Sequence, residues 1–355
     1  MHMADALISP TVGGAMWVVT AGLTAYSARK LKENIDDSRV PLMGVLGAFI
    51  FAAQMINFSI PGTGSSGHLG GGMILAILLG PHAAFLTMAS ILTVQALFFA
   101  DGGLLALGCN IFNLGFFPCF LAYPFIYRKI VGERPTPRRI LVGSLVAAIL
   151  GLQMGALGVV LETLFSGISE LPFRAFLLLM QPIHLAIGVV EGLVTAAVVT
   201  FVWKARPEIM EMAIAPGAIE PFSMRKVLGG LLVITLLTAG VLSWFASTNP
   251  DGLEWSMFRT SGKEELAAPQ KGLHALLAAL QEKIAFLPDY SFRKSAKEEP
   301  EKTGEAQTRG KATKEESWPA VSVGTSLSGL IGGLMTLIIA GFIGFGLRKY
   351  QGRKR

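Results

Sequence analysis

The sequence predicts an all-α integral membrane protein of about nine transmembrane helices, and three observations carry that expectation. Of the 355 residues, 52 % are hydrophobic and 15 % charged, and mean hydropathy is +0.55. The apolar residues are gathered into runs, most of them near the ~20 residues that cross a hydrocarbon core of about 30 Å as a helix. Lys and Arg fall in short clusters between the runs, the pattern of loops that face the cytoplasm. The net charge of +6 is therefore a signal of topology, and no nucleic-acid partner is expected.

The runs fall at roughly 10–28, 40–59, 69–80, 82–100, 105–127, 140–166, 173–203, 227–246 and 321–347. Basic clusters occur at Arg29, Lys30, Lys32 and Arg39, then from Arg128 to Arg139, from Lys204 to Lys226, and from Arg348 to Arg355. Placing all four clusters inside requires an external N-terminus, four spans between the first two clusters, and a cytoplasmic C-terminus. The run at 69–80 is too short for a free span and follows a glycine-rich loop, Pro61 to Gly72, so a broken or partly inserted helix is expected there. That loop lies on the same outer side as residue 1. No Lys or Arg precedes the first apolar run, which speaks against a secretory leader, so Met1 is expected to be retained. Cys109 and Cys119 share one apolar segment and are expected to be small buried hydrophobes.

A polar connection at 204–226 separates two unequal parts: residues 1–215, expected to form a seven-helix core, and residues 216–355, expected to form a two-helix hairpin. The hairpin encloses an external segment, 247–320, that turns charge-rich from Lys294 to Glu316. The inverted repeats of many secondary transporters are not visible.

Chemistry begins at the first two residues. Met1-His2 offers the α-amine, the His2 amide and the His2 ring. Amine and amide close one chelate ring on a metal; the amide and Nδ1 of the same histidine close another. A fourth nitrogen completes the square that Ni(II) and Cu(II) favour. His68, flanked by glycines in the loop on the same side, is the natural candidate, although a single loop histidine is more often a polar surface residue. Asp5, Ser65 and Ser66 are candidates to orient the two rings from a second layer. His184 and Glu191 lie seven residues apart in the seventh span, on one helical face, as either a transport relay or a packing contact. Asp101 stands at an outer turn as a turn residue or a transport candidate; His82 follows Gly80-Pro81 in a helix-start position, and His274 is expected to be solvated. The chain contains no phosphate-binding glycine loop with its Lys and hydroxyl, no His-Glu-x-x-His and no Cys-x-x-Cys, so it is not expected to be an enzyme. If ATP drives transport, another subunit hydrolyses it.

These residues resemble the substrate-binding component of an energy-coupling-factor transporter for nickel or cobalt. The resemblance rests on Met1-His2-Met3-Ala4-Asp5, on Ile60 to Leu69 with Gly80-Pro81, on Gln95-Ala96-Leu97 through Phe99-Ala100-Asp101-Gly102-Gly103 and Gly108-Cys109-Asn110, and on His184 through Glu191-Gly192. Pro250-Asp251-Gly252-Leu253-Glu254 resembles the small accessory subunit of such systems, here fused to the C-terminus. The resemblance implies a seven-span core whose N-terminal tail inserts into the protein, with the metal held by the Met1 amine, the His2 amide and ring, and His68. It implies a transmembrane coupling subunit and cytoplasmic ATPases as partners in a prokaryotic cytoplasmic membrane, no cofactor beyond the transported ion, and a binding subunit that topples in the bilayer to release its cargo. Cobalt members often carry Glu and another loop where this chain has Asp5 and Gly67-His68-Leu69, which leans toward nickel. The competing expectation is a proton-coupled secondary metal transporter with His184 and Glu191 as its relay.

Overall fold

A computed structural model describes residues 2–34, 39–214, 224–292 and 319–352. The helices of its first part are α1 (Pro10–Asn34), α2 (Arg39–Gln54), α3 (Gly72–Leu79), α4 (Pro81–Phe98), α5 (Leu107–Ile111), α6 (Arg128–Val131), α7 (Pro137–Ser166) and α8 (Phe173–Ala205). There follow α9 (Glu208–Ile214), α10 (Arg225–Gly240), α11 (Gly252–Ser261), α12 (Gly272–Ile284) and α13 (Val323–Gly352). Between α5 and α6, residues Phe112–Tyr127 continue the helix with wider i→i+5 turns, so that Leu107–Val131 forms one rod. Pro118 and Pro124 supply a reason for the wider winding: a proline has no N–H to donate and its ring crowds the carbonyl a turn behind.

Among the described residues five helices are long and apolar enough to cross a membrane: Pro81–Phe98, Leu107–Val131, Pro137–Ser166, Phe173–Ala205 and Val323–Lys349. The chain is a multi-pass membrane protein. The other apolar runs also lie in helices, but each falls short for its own reason. Helix α1 carries Thr11, Thr20, Thr24 and Ser27 before its charged end; α2 and α10 have 16 residues each; α3 has eight, closed by Gly80-Pro81. All eight residues of α3 are buried, so its short backbone is shielded by neighbouring helices rather than exposed to lipid.

Helices α7 and α8 pack along their length because two glycines of α8 let the backbones meet. A Cβ built on Gly188 would lie 2.9 Å from the Cα of Ile149, and one on Gly192 would lie 2.6 Å from that of Leu145. This small-xxx-small spacing is the usual device for close helix packing in membranes. It also fixes Glu191, next to Gly192, on the inward side, where the residue is 3 % exposed. The accessory hairpin α10 and α13 packs on α2, with the Phe51 ring seated on Gly332.

The loop after α2 is a small hairpin. Strand β1 (Phe58–Ile60) pairs antiparallel with β2 (Ser65–Gly67), with Phe58 opposite Gly67, Ser59 opposite Ser66 and Ile60 opposite Ser65. The accessory segment that follows α10 lies over this hairpin. The Ser66 N–H donates to the Pro250 carbonyl at 2.8 Å, its hydroxyl donates to the Asn249 carbonyl at 2.8 Å, and Trp255 Nε1 donates to the Thr63 carbonyl at 3.0 Å. Helix α11 starts there because Asp251 caps it. Its side chain accepts from the Leu253 and Glu254 amides while the Glu254 carboxylate accepts the Asp251 N–H, a reciprocal capping box. The charge-rich stretch noted from Lys294 to Glu316 lies outside the described residues.

Candidate metal site

The chain's first described residues run into the helical core and are held there by strand-like contacts. Asn110 takes the place of a neighbouring backbone: its Oδ1 accepts the Met3 N–H at 2.8 Å and its Nδ2 donates to the Met3 carbonyl at 3.2 Å. The Gly103 N–H donates to the same carbonyl at 2.9 Å, and Met3 itself is fully buried. Asp5 then accepts the Ala106 N–H at 2.9 Å, and burial raises its carboxyl above the usual range. The tail is thus pinned on both sides of Ala4, which places the His2 ring beside that of His68.

His68 arrives from the opposite direction. Glu191 sets its loop: one carboxylate oxygen accepts the Gly70 N–H at 2.7 Å and the other accepts the Gly71 N–H at 3.0 Å. Gly71 caps α3 with φ +76°, a left-handed conformation that glycine adopts without strain. Gln54 completes the frame, donating to the Gly70 carbonyl at 2.8 Å while its Oε1 accepts from Gln95 at 2.8 Å. Within that frame His68 Nδ1 donates to the Leu69 carbonyl at 3.1 Å, which fixes the tautomer and leaves Nε2 with its lone pair.

These two supports bring the rings together. The His2 and His68 imidazoles stack with centroids 5.0 Å apart and planes 12° from parallel. Burial pushes both imidazoles down to about 3, so each is neutral at neutral pH, the form in which a histidine ligates a metal. His2 Nδ1 lies 3.3 Å from Asp101 Oδ1, and His2 Nε2 is buried without a hydrogen-bond partner among the described residues. His68 Nε2 lies 3.9 Å from Asp251 Oδ2. Met1, the remaining ligand of the expected set, lies outside the described residues.

The surroundings of the rings differ from the expected second layer. Asp5 holds the tail, Ser65 and Ser66 hold the accessory segment, and none of the three is hydrogen-bonded to either ring among the described residues. The carboxylates beside the rings are instead Asp101 and Asp251. Ala100, with φ +55°, turns Asp101 inward, and Tyr290 from the accessory segment donates its hydroxyl to Asp101 Oδ2 at 2.5 Å. Asp289 and Tyr290 both hold left-handed conformations, φ +49° and +55°, a local strain of the kind that gathers at functional sites. Burial raises both the Asp101 carboxyl and the Tyr290 phenol above their usual ranges. Burial also opposes ionisation of Asp251, yet the attraction of the groups around it, the Glu254 N–H among them, holds its carboxyl below the usual carboxylate range.

His184 and Glu191 part company in space. Glu191 clamps the His68 loop, whereas His184 Nδ1 donates to the Met180 carbonyl at 2.8 Å and its ring lines a small space with His68, Asp251 and Gly252. No hydrogen bond joins the two among the described residues. His274, expected in solvent, is 4 % exposed and donates through Nε2 to the Ile8 carbonyl at 2.8 Å, because α12 lies over the tail. His82 packs against Tyr26 and Phe120, at the other end of α4 from the paired rings. Cys109 and Cys119 are buried free thiols.

The sequence alone does not reveal the roles of Asn110, Asp251 and Tyr290. Asn110 and Asp251 stand inside stretches that carry the resemblance, but only the fold shows that one pins the tail and the other faces His68. Nothing near Tyr290 in the chain marks it.

Comparison with known proteins shows the family to which the chain belongs. The profile described as "Cobalt uptake substrate-specific transmembrane region" matches residues 2–209, and that of the PDGLE domain matches residues 225–349. The fused nickel transport protein of Rhodobacter capsulatus is 31 % identical over 313 residues, covering 82 % of this chain and 88 % of that protein. A cobalt transport protein of Geobacter sulfurreducens is 30 % identical over 251 residues, covering 68 % of this chain and 71 % of that one. Among solved structures, a truncated transition metal transporter superposes with a TM-score of 0.52 at 29 % identity, covering 58 % of this chain and 99 % of that one. A second transition metal transporter gives the same score at 28 % identity, covering 61 % and 100 %.

Proposed function

Because the chain belongs to the family of cobalt uptake substrate-specific transmembrane regions, with a PDGLE domain behind it, we propose that it captures Ni(II), or Co(II), at the outer face of the membrane for an ATP-driven importer. It is a metal transport protein; the ion, the side of capture and the energy source are what this reading adds. The observation that carries it is the convergence of two buried, neutral imidazoles, His2 from the tail and His68 from the loop. Residues 1–215 are the binding core and residues 216–355 the accessory hairpin, with the N-terminus outside and the C-terminus in the cytoplasm. A transmembrane coupling subunit and separate ATPase subunits are its partners; the chain itself catalyses nothing.

The ion is cargo, and its ligands are the Met1 amine, the His2 amide and Nδ1, and His68 Nε2. Nickel fits this set because four nitrogens in a plane suit a d⁸ ion, and the bound form is yellow and diamagnetic. His2 Nδ1 faces Asp101 in the present geometry, so a turn of the ring about Cβ–Cγ brings that nitrogen to the metal and gives Nε2–H to Asp101. An Asp that receives the second ring proton of a ligating histidine raises its basicity and fixes its orientation.

The test is an absorption titration of tag-free protein with Ni(II) and Co(II), followed by reconstitution. Uptake that requires ATP and the partner subunits supports the reading. Uptake by this chain alone under a proton gradient would overturn it in favour of a secondary transporter.

A further inference from the structure

The accessory segment roofs the metal site, and a cavity lies within the roof. Its roof contacts are spread over a wide arc: Ser66 to Asn249 and Pro250, Trp255 to Thr63, His274 to Ile8, Gln281 to the Ala96 and Gly102 carbonyls, and the Asp289 N–H to Phe99. Between them lies a cavity of about 210 Å³, on whose lining the His2 side chain is more deeply buried than those of Asp251 and Asp101. At about 30 Å³ per molecule, such a space holds several waters.

Apart from His2, the titratable side chains that line this cavity are all carboxyls. Six carboxyls line it: Asp101 from the core, and Asp251, Glu254, Glu264, Glu265 and Asp289 from the accessory segment. No Lys or Arg is among its lining residues. Glu264 and Glu265 are exposed at the mouth with Asp289 beside them, whereas Asp101, Asp251 and Glu254 are partly buried deeper in. His2 is chemically distinct from the rest of the lining. The His2 side chain is 8 % exposed, and its Nε2 has no hydrogen-bond partner among the described residues. A buried imidazole nitrogen without a hydrogen-bond partner among the described residues, on a lining otherwise rich in carboxyls, points to a cation as the visitor.

The spacing of the acids sets the form of that cation. Among the described residues no three of His, Cys, Asp and Glu converge closely enough to hold a bare ion. A divalent ion that keeps its water shell does not need such convergence, because the carboxylates meet it through the waters and through the field. Walls of one charge sign in a narrow, low-dielectric passage concentrate counter-ions and raise association rates, with a steep dependence on ionic strength.

We propose that this vestibule, built mainly by the accessory segment, is the access route along which a hydrated divalent metal ion is concentrated and led to His2. The inference rests on the capture reading above, and it gives the fused accessory segment a physical role, since that segment supplies five of the six carboxylates. Asp251 is the innermost of the five, because it also faces His68 across 3.9 Å. Water is shed there as nitrogen ligands replace it.

Stopped-flow absorption of the tag-free full chain in nanodiscs, mixed with Ni(II) at several salt concentrations, tests this. The variant is Glu264→Gln, Glu265→Gln and Asp289→Asn together, three mouth residues that touch neither ring. At low salt its association rate falls at least about fivefold and its salt dependence flattens, while the spectrum at saturation matches wild type. A second measurement uses wild type alone. Hexaamminecobalt(III), which keeps its ligands and so is not taken up by the nitrogen set, slows Ni(II) association in competition. An unchanged rate and salt slope in the variant, or no slowing by hexaamminecobalt(III), overturns the vestibule while wild-type capture stands. Wild type that binds no Ni(II) at all overturns the capture reading and the vestibule with it.

Discussion

The imidazoles of His2 and His68 lie face to face, with centroids 5.0 Å apart and planes only 12° from parallel. The lone pairs of an imidazole lie in its ring plane, so two nearly parallel rings do not aim at one point. One ring must turn for both to bind the same ion, and His2 is the freer of the two, since the Leu69 carbonyl and the Glu191 clamp hold His68. Loss of the fixed partner should therefore be severe. His68→Ala is expected to abolish the yellow Ni(II) absorption and weaken binding by more than the roughly 10–100-fold that a second-layer loss costs. An Ala variant that keeps the spectrum would place the fourth nitrogen elsewhere.

Asp101 and Tyr290 form a relay of orientation across the two parts of the chain. Tyr290 holds one oxygen of Asp101 and His2 faces the other. Asp101→Asn is expected to weaken Ni(II) binding by roughly 10–100-fold, the usual cost of losing the carboxylate behind a ligating histidine. Tyr290→Phe removes one hydrogen bond and should cost about 1 kcal/mol, or several-fold in affinity. Calorimetry on the two variants separates these magnitudes, and equal affinities for wild type and Asp101→Asn would remove Asp101 from the site.

The helices are legible in hydropathy, the site only in part. The runs at 82–100, 140–166 and 173–203 correspond to Pro81–Phe98, Pro137–Ser166 and Phe173–Ala205, because long apolar stretches have few other stable forms in lipid. The polar face of α1 and the short lengths of α2 and α10 are less decisive, since neighbouring helices shield them. Topology puts His2 and the His68 loop on one side, and in the structure the two rings stack. What composition does not reveal is the work of the accessory segment. Asp251 and Glu254 close a capping box in the fold, but a helix start does not say what the helix covers. Nor does helical spacing tell that Glu191 turns toward two backbone amides of a distant loop while His184, on the same face, does not.

Glu191 is expected to act as a clamp and not as a proton relay. Glu191→Ala leaves the buried Gly70 and Gly71 amides without acceptors, each costing about 1–3 kcal/mol, and should release the His68 loop. Glu191→Gln keeps one acceptor oxygen and should recover part of the Ni(II) affinity. Uptake by the Gln variant in reconstituted vesicles should be reduced at every pH in the same proportion. A shift in its pH profile would restore the relay reading.

The amine end of the chain offers the simplest test. One residue added before Met1, such as Gly, moves the α-amine out of the chelate and is expected to abolish tight binding without altering the helical fold. Circular dichroism and the Ni(II) titration check the two halves of that statement. Retained affinity in the extended chain, or a mature chain found by mass spectrometry to begin at His2, would exclude the four-nitrogen set.

Acid should weaken binding with a slope that counts protons. Binding displaces one proton from the Met1 ammonium and one from the His2 amide, so below the ordinary amine value of about 7.7–8.0 the dissociation constant should rise by roughly 100-fold per pH unit. The histidines add nothing to that slope between pH 5 and 7, because burial holds both imidazoles down to about 3 and they enter the reaction already neutral. The sign follows from linkage: the metal takes the deprotonated groups, so affinity is full at alkaline pH and is lost as pH falls. If His2 and His68 titrated at the ordinary value near 6.5, the slope would steepen toward four protons below that pH. Calorimetry in two buffers of different ionisation enthalpy measures the number directly. Two protons released at pH 6 support an amine–amide–imidazole site, and a value near zero would mean that side-chain nitrogens alone hold the metal.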